Sequence, residues 1–287
     1  MRSISVYIDP ATIFAQIRME RQIHRGGFLL VEGSTDAKRI DKFIDKIGCS
    51  VVNCYGKPNV LDAIEMMQDV GLEDCLGLVD SDFDRINRMR GNPVDQDGVI
   101  TSEFHDLDMD NAFTDVIDRY LMEVAEQSKL EANGGIRLCI DQILMAIKPL
   151  SILRYANELR SLRYNLQRID LDGFFDGETV NVDGMIDAVS TGSFSSSTHR
   201  ATLRTHIDEL MSLDFDLMQL TNGHDFLAAL GIALRECIGR RKVPQTWRSE
   251  VEMHLRFGLS RDDFSSTHAY REIKAWEASS GHSILRH

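Results

Sequence analysis

The sequence predicts an α/β protein in which a doubly wound parallel sheet is followed by a mostly helical C-terminal domain. Short apolar runs without polar alternation occur within 28–32 and 75–79, a pattern typical of strands buried on both faces, and Val51, Val52 and Cys54 indicate a further strand at 50–54. Segments with helical periodicity separate these runs, so strand and helix alternate along the first part of the chain. No strand pattern of comparable strength occurs after residue 133.

The first half begins with a helix, because Asp9 followed by Pro10 is typical of an N-cap and a first helical position. The apolar stripe of this helix, which includes Ile13, would cover one face of the sheet or serve as a surface for a partner. Glycines and polar turns separate the elements that follow. We expect them in the order strand 28–32, helix 35–47, strand 50–54, turn Gly56-Lys57-Pro58, helix 60–70, strand 75–79, exposed loop 87–98, strand 99–101 and helix 111–127.

The second half has the pattern of a run of helices with turn-rich connections. Pro149 is expected to separate two of the helices, and the serine-rich stretch from Ser190 to Thr198 indicates a mobile loop or a hinge. The chain would then divide into a catalytic domain of residues 1–127 and a helical domain of residues 128–287. The helices of that domain are predicted at 135–147, 151–168, 200–212, 224–238 and 263–278, with turns over 170–184.

The formal net charge of −13 argues against a protein that simply coats nucleic acid. Residues 1–120 hold 13 Lys and Arg against 22 Asp and Glu, so most of the negative charge lies in the predicted sheet domain. If that domain handles polyanions, divalent cations and a local basic strip have to offset the repulsion.

The cysteine usage indicates a reducing compartment, because the five cysteines form no C-x-x-C pair and are odd in number. There is no signal-peptide pattern and no apolar run near the length of a membrane span. We therefore expect a cytoplasmic protein that does not enter a membrane. Its free thiols would be Cys49, Cys54, Cys75, Cys139 and Cys237.

Two of the apolar runs stop abruptly at carboxylates. Glu32 ends the first run, with Asp36 one helical turn later, and Asp80 and Asp82 follow the run at 75–79. The carboxyl ends of parallel strands share one edge of a sheet, where open α/β sheets place their ligand sites. Like charges this close raise one another's pKa values unless a cation lies among them. Hard oxygen ligands of this kind favour Mg²⁺ or Mn²⁺.

At these residues the sequence resembles the TOPRIM domain, whose signature is a strand ending in Glu-Gly, a helix beginning near an Asp and a later strand ending in Asp-x-Asp. Val31-Glu32-Gly33-x-x-Asp36 is most similar to the overcoming-lysogenization-defect nucleases, which carry a second acid four residues after the glutamate. The resemblance covers residues 25–120. In size, and in having a helical tail, the chain resembles the small stand-alone TOPRIM effectors of PARIS-type anti-phage systems.

The resemblance implies a metal-dependent endonuclease that acts as a toxin-like effector in phage defence. Glu32 occupies the position to which topoisomerases assign general acid–base work. The PARIS-type resemblance implies an RNA substrate, tRNA in particular, and an ABC-type ATPase sensor as partner, whereas the lysogenization-defect resemblance implies DNA. A small acidic nuclease of this kind is expected to work as a homodimer. The ligand set that the resemblance implies has two parts, one ion on Glu32, Asp36 and Asp80 and a second on Asp82 with Asp84 or Asp108.

The acidic motifs also have plainer interpretations. The run of alternate acids at 80–84 could open an EF-hand-like calcium loop, although the required glycine and terminal glutamate are missing at the right offsets. Asp106, Asp108 and Asp110 would project the same way on an extended segment, so that Asp106 or Asp108 contacts a metal. Alternatively, Asp108 or Asp110 only caps the next helix.

Several cations are candidates for contact with a phosphate of the substrate. Lys57 lies at the carboxyl end of a strand, where it contacts the phosphate or is merely a solvated turn residue. Arg85, Arg88 and Arg90 leave the sheet directly after the acidic motif and have the planar fork that suits phosphate. Charged loops of this kind are also often only solvated.

Two further candidates lie in the second half of the chain. His224 precedes a helix at a position where related nucleases carry Gly-Lys, so it either orients a phosphate or is only a helix N-terminal residue. A second basic cluster is formed by Arg240-Arg241-Lys242.

Three functions follow from these patterns. The first, which we favour, is a metal-dependent nuclease. The second is a regulatory module of TOPRIM-like fold that binds a nucleotide or a partner without cleaving it. The third is a structural subunit whose helical half docks an ATPase sensor. The presence of Glu32, Asp36, Asp80 and Asp82 together favours the first.

Overall fold

The protein is described by a computed structural model that covers residues 8–89, 96–166, 169–190, 196–240 and 246–286. Its described residues contain one four-stranded parallel sheet with the order β2-β1-β3-β4. The prediction of an α/β fold with a parallel sheet is therefore confirmed. The strands are β1 (Gly27–Val31), β2 (Cys49–Asn53), β3 (Cys75–Val79) and β4 (Val99–Thr101).

The chain divides into two compact units. The first, the sheet unit, combines the residues up to Thr114 with those from Ser260 onward, and the second, the helical unit, is Asp115–Leu259. Helices of the sheet unit are α1 (Pro10–Glu20), α2 (Ser34–Ile40), α3 (Lys57–Gln68), α4 (Asp84–Met89) and α5 (Leu107–Ala112), and near the C-terminus two more helices belong to it, Arg261–Ser266 and His268–Ser280.

These units differ from the predicted ranges of 1–127 and 128–287 in two places, because residues 115–127 belong to the helical unit and the C-terminal segment returns to the sheet unit. The amide of Asp45 donates to the carbonyl of Ile284 at 2.8 Å, and the amide of Arg286 donates to the carbonyl of Phe43 at 2.9 Å. The ring of Phe43 stacks on Phe264 with centroids 4.4 Å apart. Contacts between distant parts of the chain therefore decide which residues belong to the sheet unit.

One face of the sheet is covered by α1 and α3. Ile13 and Ile17 of α1 are buried in one hydrophobic cluster with Phe28 and Leu30 of β1 and with Val60 of α3. Of the two roles considered for the first helix, covering the sheet is confirmed. Burial of an apolar stripe against a sheet stabilises such a helix more than its intrinsic propensity does.

The described residues of the helical unit form helices and connecting segments, with a 3₁₀ turn at Leu171–Gly173 and isolated bridges. The longest helix runs without a break through Pro149, so the prediction of two separate helices there is wrong. Buried residues on both sides of the proline, such as Ile147 and Leu150, keep the helix packed. The helices are α6 (Asp115–Val124), α7 (Gln127–Ala132), α8 (Ile136–Leu159), α9 (Val182–Val189), α10 (Ser197–Met211), α11 (Leu217–Leu220), α12 (Gly223–Glu236) and α13 (Arg248–Gly258).

Three other element predictions need correction. The helix expected at 111–127 is two helices, α5 and α6. The helix expected at 263–278 is interrupted at Thr267, whose side chain caps the last helix by accepting from the amide of Tyr270; we label the two parts α14 (Arg261–Ser266) and α15 (His268–Ser280). The helix expected at 35–47 ends at Ile40 and continues as a short 3₁₀ turn, Asp41–Phe43.

Two expected loops lie partly outside the described residues. The loop at 87–98 begins within α4, and residues 90–95 are not described. Of the Ser190–Thr198 stretch, residues 191–195 are not described, and α10 begins at Ser197. All five cysteines are free thiols, and four of them are buried. No helix in the described part of the chain has the length and apolar character needed to cross a membrane.

Candidate active site

The strand order brings two predicted site residues to the centre of the sheet. β1 pairs with β2 on one side and with β3 on the other, so the winding direction reverses between β1 and β3. Ligands of open α/β sheets bind in the crevice at the carboxyl ends of the strands beside such a reversal. Glu32 follows β1 there and Asp80 follows β3. The prediction that these acids share one sheet edge is confirmed.

Glu32 and Asp80 are in direct contact. The backbone amide of Asp80 donates to Oε1 of Glu32 at 2.7 Å. Burial raises the pKa of Glu32 from an ordinary 4.5 to about 7, although the hydrogen bond from Asp80 opposes the shift. Neighbouring carboxylates of Asp82 and Asp36 add to the increase. Glu32 is therefore a carboxyl group that titrates close to neutral pH.

Asp80 lies deeper than Glu32. Its Oδ1 accepts from the amide of Leu107, the first residue of α5, at 2.9 Å. Burial raises the pKa of Asp80 well above its ordinary value, and the charges of Asp106 and Glu32 raise it further. Two adjacent acids with raised pKa values form a region that attracts a cation or a proton.

Asp36 lies in the first turn of α2 and is held by two contacts. Its Oδ2 accepts from the amide of Gly33 at 3.1 Å, and its Oδ1 is 3.0 Å from Nη1 of Arg39. The buried guanidinium of Arg39 also pairs with Asp108 of α5. Burial opposes the charge of Arg39, but the carboxylates of Asp108 and Asp36 outweigh it and raise the pKa of the guanidinium. Arg39 therefore links α2 to α5 beside the two central acids.

Lys57 occupies the acidic edge rather than an exposed turn, so the solvated interpretation of this lysine is wrong. Only 15 % of its side chain is exposed. Its Nζ donates to the carbonyl of Asp80 at 2.7 Å and to Oδ2 of Asp82 at 3.0 Å, and it lies 2.8 Å from Oδ2 of Asp84. Burial alone would lower the pKa of Lys57, but these carboxylates raise it.

The acids at 106–110 do not alternate on an extended segment, because α5 begins at Leu107. Asp106 is the N-cap, and its Oδ1 accepts from the amide of Met109 at 2.9 Å. Asp110 accepts from the amides of Glu103 and Phe104 at 2.9 and 2.7 Å, and burial raises its pKa to about 6. Capping, which we considered for Asp108 or Asp110, is performed by Asp106 instead. Asp106 remains close enough to Asp80 to raise the pKa of that acid.

The arginines expected to bind substrate have different settings. Arg85 is turned inward, and its Nη2 donates to the carbonyl of Ser102 at 2.7 Å. Arg88 lies on the exposed surface of α4. Arg90 lies outside the described residues. Substrate contact by any of the three stays a prediction, although the inward bonds of Arg85 favour a structural role for it.

The remaining candidates belong to the helical unit. His224 lies in the first turn of α12, where its Nδ1 is 2.9 Å from Oε1 of Glu252. Arg240 belongs to the same unit, whereas Arg241 and Lys242 lie outside the described residues. The structure therefore gives His224 a carboxylate partner within its own unit, and its catalytic role stays a prediction.

The chain matches no protein-family model and no curated protein.

The side chains present can be compared with the needs of a divalent ion. No group of three or more His, Cys, Asp and Glu side chains within the described ranges is arranged as a metal site. The donor chemistry fits such an ion, because Glu32 and Asp80 offer hard oxygen atoms and repel one another and their acidic neighbours. A cation at this edge would relieve that repulsion.

Two residues of the site were not predicted from the sequence. Arg39 follows Asp36 by three positions, a spacing at which helical residues face the same way, and this was the available signal. His105 is buried, its ring packs edge-on against Phe83 with centroids 4.7 Å apart, and its carbonyl accepts from the amide of Asp82 at 2.6 Å. No sequence pattern distinguishes this histidine from a surface residue.

Proposed function

We propose that this protein is a divalent-metal-dependent nuclease of the TOPRIM type that hydrolyses phosphodiester bonds. The observation that carries the proposal is the contact between Glu32 and Asp80 at the reversal point of the sheet, where both acids have raised pKa values. Perturbed carboxyl groups concentrated at a ligand-binding edge favour catalysis over a purely structural role.

Glu32 and Asp80 would hold a Mg²⁺ or Mn²⁺ ion, with Asp36, Asp82 and Asp106 close by. Such an ion, when bound, neutralises charge on the phosphate and lowers the pKa of water. The protein's own groups have separate tasks. The motif resemblance gives Glu32 the general acid–base role, and its pKa of about 7 in the metal-free protein means that it binds a proton near neutral pH until an ion displaces that proton. Lys57 supplies a fixed positive charge at the same edge.

The substrate class and the biological role rest on the resemblance of the motifs. We propose RNA, with tRNA favoured, as the substrate, and DNA as the alternative within the same fold. In this proposal the protein is a toxin-like effector of phage defence that acts in the cytoplasm as a homodimer, and an ABC-type ATPase sensor controls it.

A non-catalytic regulatory module is the second candidate. The observation that favours it is that Lys57 and Arg39 already neutralise several of the acids within the protein. A module of this kind would bind a nucleotide or a partner at the same edge and would leave nucleic acid intact.

Cleavage assays with Mg²⁺ separate these candidates. Purified protein is incubated with total cellular RNA or with plasmid DNA, with and without a chelator. We expect cleavage that requires Mg²⁺ and that falls about 100-fold or more in Glu32→Gln, which keeps the shape of the side chain but cannot carry the proton. Glu65→Gln, an exposed acid on α3, is the matched control and should cleave normally. Intact RNA and DNA under all conditions would support the regulatory module.

A further inference from the structure

The ammonium group of Lys57 is surrounded by oxygen atoms in the manner of a bound cation. Four oxygens lie near its Nζ: the carbonyls of Asp80 and Ser81 at 2.7 and 3.4 Å, Oδ2 of Asp82 at 3.0 Å and Oδ2 of Asp84 at 2.8 Å. Two of the four are carboxylates that the motif resemblance assigns to a second metal ion. Mg²⁺ and Mn²⁺ prefer the same hard oxygen donors.

Local backbone geometry holds the lysine in this place. Gly56 has a φ of +132°, a conformation that favours glycine, and its amide donates to the carbonyl of Glu32 at 2.9 Å. The turn after β2 is thereby fixed to the end of β1, and α3 begins directly at Lys57. On the other side Asp82 has a φ of +50°, and its amide is bonded to the carbonyl of His105. Both sides of the contact are therefore determined by the backbone.

The acids of the site fall into three sets, according to whether each one pairs with Lys57, with Arg39 or with neither. Lys57 pairs with Asp82 and Asp84, and Arg39 pairs with Asp36 and Asp108. Glu32 and Asp80 form no ion pair with any residue of the described chain. The Glu32 carboxylate accepts from the backbone amide of Asp80, and the Asp80 carboxylate accepts from the backbone amide of Leu107. One pair of carboxylates is thus left for an external cation.

We propose that the ammonium group of Lys57 takes the place of a second divalent ion, so that the site binds a single Mg²⁺ or Mn²⁺ on Glu32 and Asp80. This inference rests on the proposed function and concerns the number of ions at the same site. In a two-metal site the ions lie about 4 Å apart, and each ion needs carboxylate ligands. Here Asp82 and Asp84 already hold the lysine. Lys57 would then supply, beside the phosphate, the positive charge that a second ion would otherwise supply.

The number of bound ions can be counted directly. Mn²⁺ is titrated into the full-length protein without nucleic acid, by calorimetry and by the loss of the free-ion electron paramagnetic resonance signal. We expect one ion per chain in the wild type. In Lys57→Met the carboxylates of Asp82 and Asp84 lose their cation, and a second, weaker ion should bind. Lys46→Met is the control, because Lys46 forms an exposed pair with Asp41 in the same unit, and it should still bind one ion.

A second pair of variants avoids dependence on the folding of Lys57→Met. Asp80→Asn should remove Mn²⁺ binding, whereas Asp84→Asn should change the affinity of the wild-type site by less than about tenfold. Two ions in the wild type, a single ion in folded Lys57→Met, or a larger loss of affinity in Asp84→Asn would each overturn the inference. If the wild type binds no ion at all, the proposed function fails as well, so the two failures are distinguishable.

Discussion

At the scale of single residues, the charge of the Glu32 carboxyl group changes close to neutral pH. Its folded pKa of about 7 lies above the ordinary value of 4.5. Below 4.5 the side chain is protonated in both the folded and the unfolded protein, so it costs no stability. As the pH rises from 4.5 to 7 the unfolded chain releases its proton more readily, and the free energy of unfolding falls. Above pH 7 Glu32 is ionised in both states, and the full free-energy cost of the buried carboxylate lowers the stability of the folded protein.

We therefore expect Glu32→Gln to raise the free energy of unfolding of the metal-free protein by about 2 kcal/mol at pH 8 and to leave it almost unchanged at pH 4. The glutamine Oε1 can still accept from the amide of Asp80, so the contact at the sheet edge is kept. Urea denaturation across this pH range, in the presence of a chelator, measures the difference.

The exposed Glu65→Gln variant controls for the change of net charge and should show no such pH dependence. If Glu32→Gln raises the free energy of unfolding by the same amount at pH 4 and at pH 8, ionisation of Glu32 does not destabilise the folded protein. The raised pKa of Glu32 would then be wrong.

The sequence could predict Glu32 and Asp80 because an apolar run that stops at an acid indicates a strand end at a sheet edge. It could not predict how the other acids are neutralised. Asp82 and Asp36 each have a basic partner, Lys57 and Arg39, and a basic residue on a turn or on a helix usually faces solvent. Which cations turn inward depends on the positions of α2, α3 and α5 around the site.

At the scale of elements, Gly231 is a glycine in the interior of a helix, where alanine is usually the more stable residue. It lies within α12, and a Cβ built on it would be 2.0 Å from the carbonyl oxygen of Thr246. Helix propensity alone favours alanine over glycine by about 1 kcal/mol. The close approach of the Thr246 backbone reverses this preference, because a backbone oxygen cannot move aside as a flexible side chain can.

We expect Gly231→Ala to lower the free energy of unfolding of the helical unit by about 2 kcal/mol, as in other overpacked sites. Thermal or urea denaturation measures it. Gly173→Ala is the control, since a Cβ there would meet no atom within 4 Å, and its effect should stay within about 0.5 kcal/mol. If Gly231→Ala raises the free energy of unfolding, the backbone of Thr246 does not pack closely against α12.

Element boundaries show where sequence patterns stop being informative. The apolar runs of β1 and β3 are recognisable as strands, because five apolar residues in a row are too few for a buried helix and suit a strand buried on both faces. Pro149 was misleading, since a proline usually ends a helix but tertiary packing keeps α8 continuous. The break between α14 and α15 at Thr267 lacks a glycine or a proline and depends on a single side-chain cap.

At the scale of the whole molecule, the helical unit is inserted into the sequence of the sheet unit. Residues from Ser260 onward complete the sheet unit through backbone bonds to Asp45 and Phe43. A pattern along the chain cannot reveal this arrangement, because it depends on contacts between positions more than 200 residues apart. The sequence predicted one sheet-containing part and one helical part, but the structure places residues 115–127 in the helical unit and the last 28 residues of the chain in the sheet unit, opposite to the predicted ranges.

The two tryptophans provide a test of this division, because Trp276 belongs to the sheet unit and Trp247 to the helical unit. In a Trp247→Phe background, fluorescence reports on the sheet unit, and in a Trp276→Phe background it reports on the helical unit. Ile284 is fully buried in the returning segment, and Ile207 is equally buried in α10 of the helical unit. Truncating either to alanine removes the same side chain from a core.

We expect Ile284→Ala to lower the free energy of unfolding reported by Trp276 by about 3 kcal/mol, and to leave the urea midpoint reported by Trp247 nearly unchanged. Ile207→Ala should have the opposite pattern. Each reporter background is compared with its own unmodified parent, so the cost of replacing the tryptophan cancels. If Ile284→Ala lowers both midpoints equally, the two units unfold as one. If Ile284→Ala lowers only the urea midpoint reported by Trp247, the C-terminal segment does not belong to the sheet unit.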